Sequence, residues 1–235
     1  MKIASYNIKD GGIGREPLIM QVIEQINADV LLLQEVVYPH LLEEISKKNR
    51  LFYYIATGNS KRNIAIMSKY QFSSVNSYHP FPLKHTLLEA KIKKGNEEIS
   101  FFGIHLAPYP FLFFEIWRLV EISIILSRIK RIEKSNSILC GDFNSVAPND
   151  TVSLKNFPKW MQLILVLTQA GIFPRLVIRK VVKSGFVDCQ SEFGRNDLGF
   201  ISNVSSSTWK ATACSASLDP HLWSLPRQFQ RAKMC

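Results

Sequence analysis

Residues 29–36 read DVLLLQEV, and the four side chains from Val30 to Leu33 are all large and apolar. Successive side chains of a strand point to opposite faces, so such a run must be covered by apolar material on both sides. The segment NSILCGDFN, residues 136–144, has the same character. Two strands of this kind cannot line a sheet that is open to water on one face. They belong to an inner layer, with other elements packed above and below.

The surrounding segments supply those elements. KIASYNI alternates and begins a sheet, and REPLIMQVIEQINA follows with apolar residues at 18, 19, 22, 23 and 26, the helical period. YPHLLEEISKKN predicts a second helix. LFYYIAT, NIAIMS, FSSVNSYHPF, TLLEAKIKK and EISFFGIHLA are strand-sized, rich in β-branched and aromatic residues, and separated by turn material. A long helix is expected over 111–132, and two more over 157–183, broken at Gly171 and Pro174. Strands in the centre with helices at both ends predict a two-sheet α/β sandwich with outer helices. At 235 residues and 46% hydrophobic, the chain can bury the core of one such domain.

Within the long helix, Glu115, Arg118 and Glu121 recur every third residue, which leaves no apolar run of bilayer length. The spacing predicts one polar stripe on an otherwise buried helix; a helix lying on a membrane surface is the alternative. The N-terminus shows no secretory pattern. Cys140, Cys189, Cys214 and Cys235 form no zinc-like spacing, so reduced thiols and a cytoplasmic location are expected. The net charge of +10 invites a polyanionic partner, but it is scattered over many short runs that suit solvated faces. A monomer is expected.

Polar residues stand at the ends of four apolar segments: Asn7 in SYNIKDGG, Glu35 in LLLQEV, His105 in FFGIHLAP, and Asp142 with Asn144 in LCGDFNS. Any one of them alone suits a turn or a satisfied core position. Their shared place at sheet edges, where ligand sites collect, is what raises their significance. Carboxylate and amide oxygens suit magnesium or manganese. In that chemistry Glu35 is the leading metal ligand, Asp142 orients or deprotonates a water, and Asn144 and His105 donate hydrogen bonds to phosphate oxygens. If the strand continues, alternation by twos puts Asp142 and Asn144 on one face.

Taken in order, SYNI, LLLQEV, NIAIMSKY, GIHLAP, GDFNS and GFVDC resemble the endonuclease/exonuclease/phosphatase superfamily, the fold group of deoxyribonuclease I, over residues 2 to about 200. The resemblance implies a deoxyribonuclease I-like fold and in-line hydrolysis of a phosphoric ester assisted by a divalent metal. It implies Asn7 and Glu35 at the metal, and His105, Asp142 and Asn144 as the catalytic set. Arg62 and Asn63 fall where members contact phosphate or substrate, and Asp188 in GFVDC at a recurrent structural position. The substrate is a nucleic acid, a phospholipid or a small phosphate ester.

The chain departs from the family pattern after about residue 200. Residues 201–235 form a Ser-rich tail in which neither the Arg-x-Asp-Tyr-x-Phe strand nor the terminal Ser-Asp-His triplet of the family is present, so the C-terminal strands of the fold are expected to be missing. The nearest piece is SLDPHL, in which Pro220 separates Asp219 from His221 and constrains the backbone between them. His221 is the weakest candidate for the terminal histidine. The departure keeps a second reading open, a catalytically impaired member with a binding or regulatory role.

Overall fold

The computed structural model describes residues 1–58, 60–132, 136–146 and 153–188, together with the backbone of two short strands in the tail. The order is β1 (Ile3–Asn7), α1 (Glu16–Ile26), β2 (Val30–Val36), α2 (Pro39–Asn49), β3 (Phe52–Ala56), β4 (Asn63–Ser68), β5 (Phe72–Tyr78), β6 (Leu87–Lys94) and β7 (Glu97–His105). It continues through α3 (Leu112–Ile132), β8 (Ser137–Asp142), α4 (Lys159–Gln169), α5 (Leu176–Lys183) and β9 (Val187–Asp188), then β10 (Thr212–Ala216) and β11 (Lys233–Met234).

The strands form two sheets, ordered β11-β1-β2-β4-β3 and β5-β6-β7-β8-β10-β9. Val30 and Leu32 of β2, with Ile64 and Ile66 of the neighbouring β4, face the second sheet, where they meet Leu88, Phe101 and Cys140. Leu31 and Leu33 face the other way, into a cluster with Ile19 and Ile23 of α1 and Leu41, Leu42 and Ile45 of α2. The unbroken apolar run of β2 is thus divided between a sheet and a helical layer. On the far side, Phe102, Ile104 and Leu139 pack against Ile122, Ile125 and Ile129 of α3 and Val177, Ile178 and Val181 of α5. The layers run helix, sheet, sheet, helix, the sandwich that the segment pattern predicts.

β1 and β2 run parallel, as do β7 and β8. Their carboxyl ends therefore come in pairs, Asn7 beside Gln34 and His105 beside Asp142. Gly141, one residue before that second pair, has φ of 144°, and a Cβ there would collide with the carbonyl oxygen of Ile104. Glycine lets β8 approach β7 at the point where the site begins.

In the tail, β10 pairs in parallel with β8 and β9, and β11 pairs antiparallel with β1. These short strands carry little pattern of their own and are defined by the strands they join.

Helix α3 reverses the expected arrangement. Glu115, Arg118 and Glu121 are buried as deeply as Ile122 and Ile125, whereas Leu112, Phe113, Ile116 and Val120 are exposed. The three charged groups are buried because each is satisfied by backbone. Arg118 donates to the carbonyls of Ala107 and Tyr109 at 2.8 and 2.7 Å and to the Glu115 carboxylate at 2.9 Å. Glu121 accepts from the amides of Lys84 and Ala107 at 2.7 and 2.9 Å. Glu115 accepts from Ser145 Oγ and from the amides of Leu176 and Val177, the first residues of α5. A carboxylate at a helix N-terminus is favoured by the amides exposed there. Period alone shows that a stripe exists; it does not say which stripe faces inward. Among the described residues no helix is long and apolar enough to cross a membrane.

Candidate active site

Four strand ends from two sheets meet at one point. The Asn7 side-chain amide donates to Glu35 Oε1 and to Asp142 Oδ2, each at 3.1 Å, so one nitrogen joins β1 and β2 of the first sheet to β8 of the second. Asn7 Oδ1 accepts from the amide of Lys9 at 2.9 Å, which fixes the side chain. His105 Nε2 lies 3.9 Å from Glu35 Oε1. The separate positions singled out in the sequence thus share a single cluster.

Glu35 reaches the cluster through an irregularity. The β2–β4 register shifts between Gln34 and Val36, and Glu35 takes φ of 62°, a left-handed conformation that is uncommon for a residue with a side chain. Such local strain is tolerated where the surroundings fix it, and here Glu35 Oε2 accepts the amide of Asp10 at 2.9 Å.

Asp142 ends β8. Its Oδ1 accepts the Asn144 amide at 2.9 Å, so each of its oxygens has a donor. Asn144 lies beyond the strand, with φ of 48°, and its side chain donates to the carbonyl of Leu106 at 2.8 Å. Alternation by twos therefore does not describe this pair, because the strand stops at its first member. Asn144 ties the turn after β8 to the turn after β7. Asn144→Ala is expected to leave the buried Leu106 carbonyl without that donor and to cost about 1–2 kcal/mol of stability, read as a lower urea midpoint.

Arg62 bridges Asp10 and Glu35. Its Nε donates to Asp10 Oδ1 at 2.8 Å and lies 3.3 Å from Glu35 Oε2, and its terminal nitrogen also contacts Asp10. The hydrogen bond to Asp10 is the main reason its guanidinium is held above its usual pKa. Asn63 opens β4 opposite Val36, beside the irregularity that carries Glu35. Asp188 is buried in β9. His221 lies outside the described residues.

Two participants were not singled out in the sequence. Asp10 sits in the turn after β1, where KDGG reads as ordinary loop. His85 precedes β6, and its ring stacks on His105 with centroids 4.3 Å apart and planes 3° from parallel. Nothing in LKHTLLEA separates this histidine from a loop residue, because its importance lies in a neighbour twenty positions away.

Both rings are buried, and the Nδ1 atom of each has no hydrogen-bond partner among the described residues. Burial first and the adjacent His105 second push the His85 pKa down to about 3, against an opposing hydrogen bond with the Arg62 backbone. The folded state therefore keeps His85 neutral where the unfolded chain, with an ordinary value near 6.5, takes up a proton. Stability rises with pH across that window and is lost as pH falls below about 6.5, by at most about 1.4 kcal/mol per pH unit. In His85→Phe, the difference in urea midpoint between about pH 7 and about pH 5 is expected to shrink. An unchanged difference would assign the acid sensitivity elsewhere.

The cluster suits a hard divalent cation. Glu35 and Asp142 each present an oxygen to the same Asn7 nitrogen, so two carboxylates converge on one small space. Magnesium needs only one or two protein carboxylates and keeps several waters. Among the described residues no group of three or more His, Cys, Asp or Glu side chains gathers into a fuller metal cage.

Alpha helix α3 anchors the framework around this site: the loop after His105 is held by Arg118 and Glu121, and the residue before His85 by Glu121. The same architecture occurs in solved structures. An AP endonuclease from Archaeoglobus fulgidus matches with a TM-score of 0.59 at 18% identity, covering 80% of this chain and 72% of that one. A truncated Caenorhabditis elegans TDP2 matches at 0.53 and 18% identity, covering 61% of each chain, so this chain spans about three fifths of that protein. ANGEL2, a 2',3'-cyclic phosphatase bound to adenosine-2',3'-vanadate, matches at 0.51 and 23% identity, covering 63% of this chain and 54% of that one. At these identities the likeness is one of fold. No curated protein matches the chain. The model of the endonuclease/exonuclease/phosphatase family matches residues 4–161, a span that holds Asn7, Glu35, His105, Asp142 and Asn144, and the chain belongs to that family.

Proposed function

We propose that the chain hydrolyses phosphoric esters by in-line attack of water at phosphorus, with magnesium or manganese as cofactor. The convergence of Asn7, Glu35, His105 and Asp142 from four strands is the observation that carries this reading. Glu35, with Asn7 and Asp142 beside it, would hold the cation, which when bound supplies positive charge against the phosphate oxygens. Asp142 accepts the proton of the attacking water, its position fixed by Asn7 and the Asn144 amide. His105 donates a ring N–H to a phosphate oxygen, and its stacking on His85 sets the ring plane.

The Asn144 side-chain amide has two N–H bonds; Leu106 takes one, and the proposal gives the other to the phosphate. Arg62, already paired with two carboxylates, exchanges part of that pairing for the substrate's charge. Asn63, next to it, contacts the substrate. The relatives of this fold differ in what they act on, and the substrate is proposed here only as a nucleic acid, a phospholipid or a small phosphate ester.

The test is hydrolysis of single-stranded DNA, plasmid DNA, bis(p-nitrophenyl) phosphate and sphingomyelin with magnesium and with EDTA. Turnover is expected with magnesium and none with EDTA, and Glu35→Gln is expected to lower kcat by about a hundredfold or more. Turnover that survives both EDTA and Glu35→Gln would refute the metal assignment. Folded protein with no turnover on any substrate would instead support the binding or regulatory reading raised by Pro220 between Asp219 and His221.

A further inference from the structure

Helix α4 is apolar nearly all round. Met161 and Leu165 bury themselves with Phe157, yet Trp160, Leu163, Ile164, Val166 and Leu167 remain exposed, Leu167 at 75% and Leu163 at 61%. A helix that is hydrophobic on every side is normally buried. Among the described residues nothing covers this one, and its bare face does not end at the helix. Gln169 at its C-terminal end accepts the amide of Leu112 at 2.8 Å and donates to the carbonyl of Pro110, so α4 is docked against the start of α3. There Leu112, Phe113 and Ile116 are exposed as well, Phe113 at 65%. The apolar side chains of two helices are brought to one end of the molecule.

The exposed charge of the described residues 153–188 has one sign. Residues 153–188 contain six Lys or Arg, at 155, 159, 175, 179, 180 and 183, and a single acidic residue, Asp188, which is buried. Lys155, Lys159, Arg179, Lys180 and Lys183 are exposed. Between Lys159 and the end of α4 there is no charge of either sign. An apolar helix with an exposed tryptophan, in a segment whose exposed charges are all cations, fits the boundary of an anionic lipid layer.

We propose that this face, formed by α4 and the first turns of α3 and aided by the exposed cations of the same segment, docks the protein on a membrane surface rich in anionic phospholipid. Trp160, Leu163 and Leu167 enter the headgroup region, and Lys155, Lys159, Lys180 and Lys183 meet the lipid phosphates. The surface lies near the site, because α3 begins shortly after His105. Docking requires no turnover and stands apart from the catalytic reading.

Flotation of the full chain with vesicles of phosphatidylcholine alone, and with vesicles that also contain phosphatidylserine, tests it. The protein is expected to float with the phosphatidylserine vesicles and to remain behind with phosphatidylcholine. Leu163→Glu with Leu167→Glu is expected to abolish flotation, and Lys180→Glu with Lys183→Glu to weaken it by about tenfold or more. All four positions are exposed, so near-ultraviolet circular dichroism should stay unchanged. A blue shift of fluorescence on adding the anionic vesicles, lost in Trp160→Phe, gives a second readout. Failure of the folded chain to float with phosphatidylserine, or flotation that the double leucine variant leaves intact, overturns the proposal. So does a lipid-free dimer, seen by analytical ultracentrifugation and dissolved by Leu163→Glu, because the face would then belong to a second copy.

Discussion

Replacing Asp142 by alanine is expected to lower kcat for phosphodiester hydrolysis by about a thousandfold, with KM changed far less. Two losses combine. The carboxylate proposed to accept the water's proton is gone, and the Asn7 amide and Asn144 backbone amide both lose an acceptor. Asp142→Asn narrows the cause, because it keeps the size and one of the two oxygen acceptors and removes the charge. A comparable drop in that variant, with an unchanged urea midpoint, assigns the effect to proton transfer and charge. A kcat within about tenfold of the parent in both variants would show that Asp142 is not the base.

The largest expected effect on stability comes from a residue that never touches the site. Arg118 is 2% exposed and makes hydrogen bonds to two carbonyls and one carboxylate. Arg118→Ala would leave Glu115 as a buried carboxylate with its cation removed, and the Ala107 and Tyr109 carbonyls without a donor. Breaking a buried pair in this way costs about 3–5 kcal/mol, a large part of the total stability of a domain. Urea denaturation should show the loss as a lower midpoint. Arg118→Lys keeps the charge but cannot reproduce the planar fork, so its loss should fall between parent and alanine variant. A loss below about 1 kcal/mol for alanine would mean that water replaces the guanidinium and that the network is not closed.

What was legible in the sequence follows physical lines. The β2 run DVLLLQEV implies cover on both faces, and that cover is there, a sheet on one side and α1 with α2 on the other. The helices on either side of Gly171 and Pro174 were readable because glycine and proline act locally. Asn7, Glu35, His105 and Asp142 were readable because each lies at a strand's last residue or one before it, and strand ends can be located from pattern alone. The orientation of α3 was not. Deciding which stripe faces inward requires knowing that Ala107, Lys84 and Leu176 have backbone groups waiting there, and those are tertiary facts. His85 and Asp10 were silent for the same reason, since each matters through partners distant in the chain. Asn144 was found for its chemistry, but its placement was misjudged because a left-handed residue breaks the period on which alternation depends.

The two hydrogen bonds of the Asn7 amide have a consequence in time. The bond to Asp142 closes a stretch of 135 residues. Contacts so distant along the chain form late, after local helices and hairpins, because the loop entropy must be met before the contact gives anything back. During synthesis the first half of the cluster, Asn7 with Glu35, leaves the ribosome long before β8 exists to complete it. In a nascent chain the cluster thus stays incomplete until both sheets have stacked, and the site proposed to cut phosphate esters arrives together with the finished core.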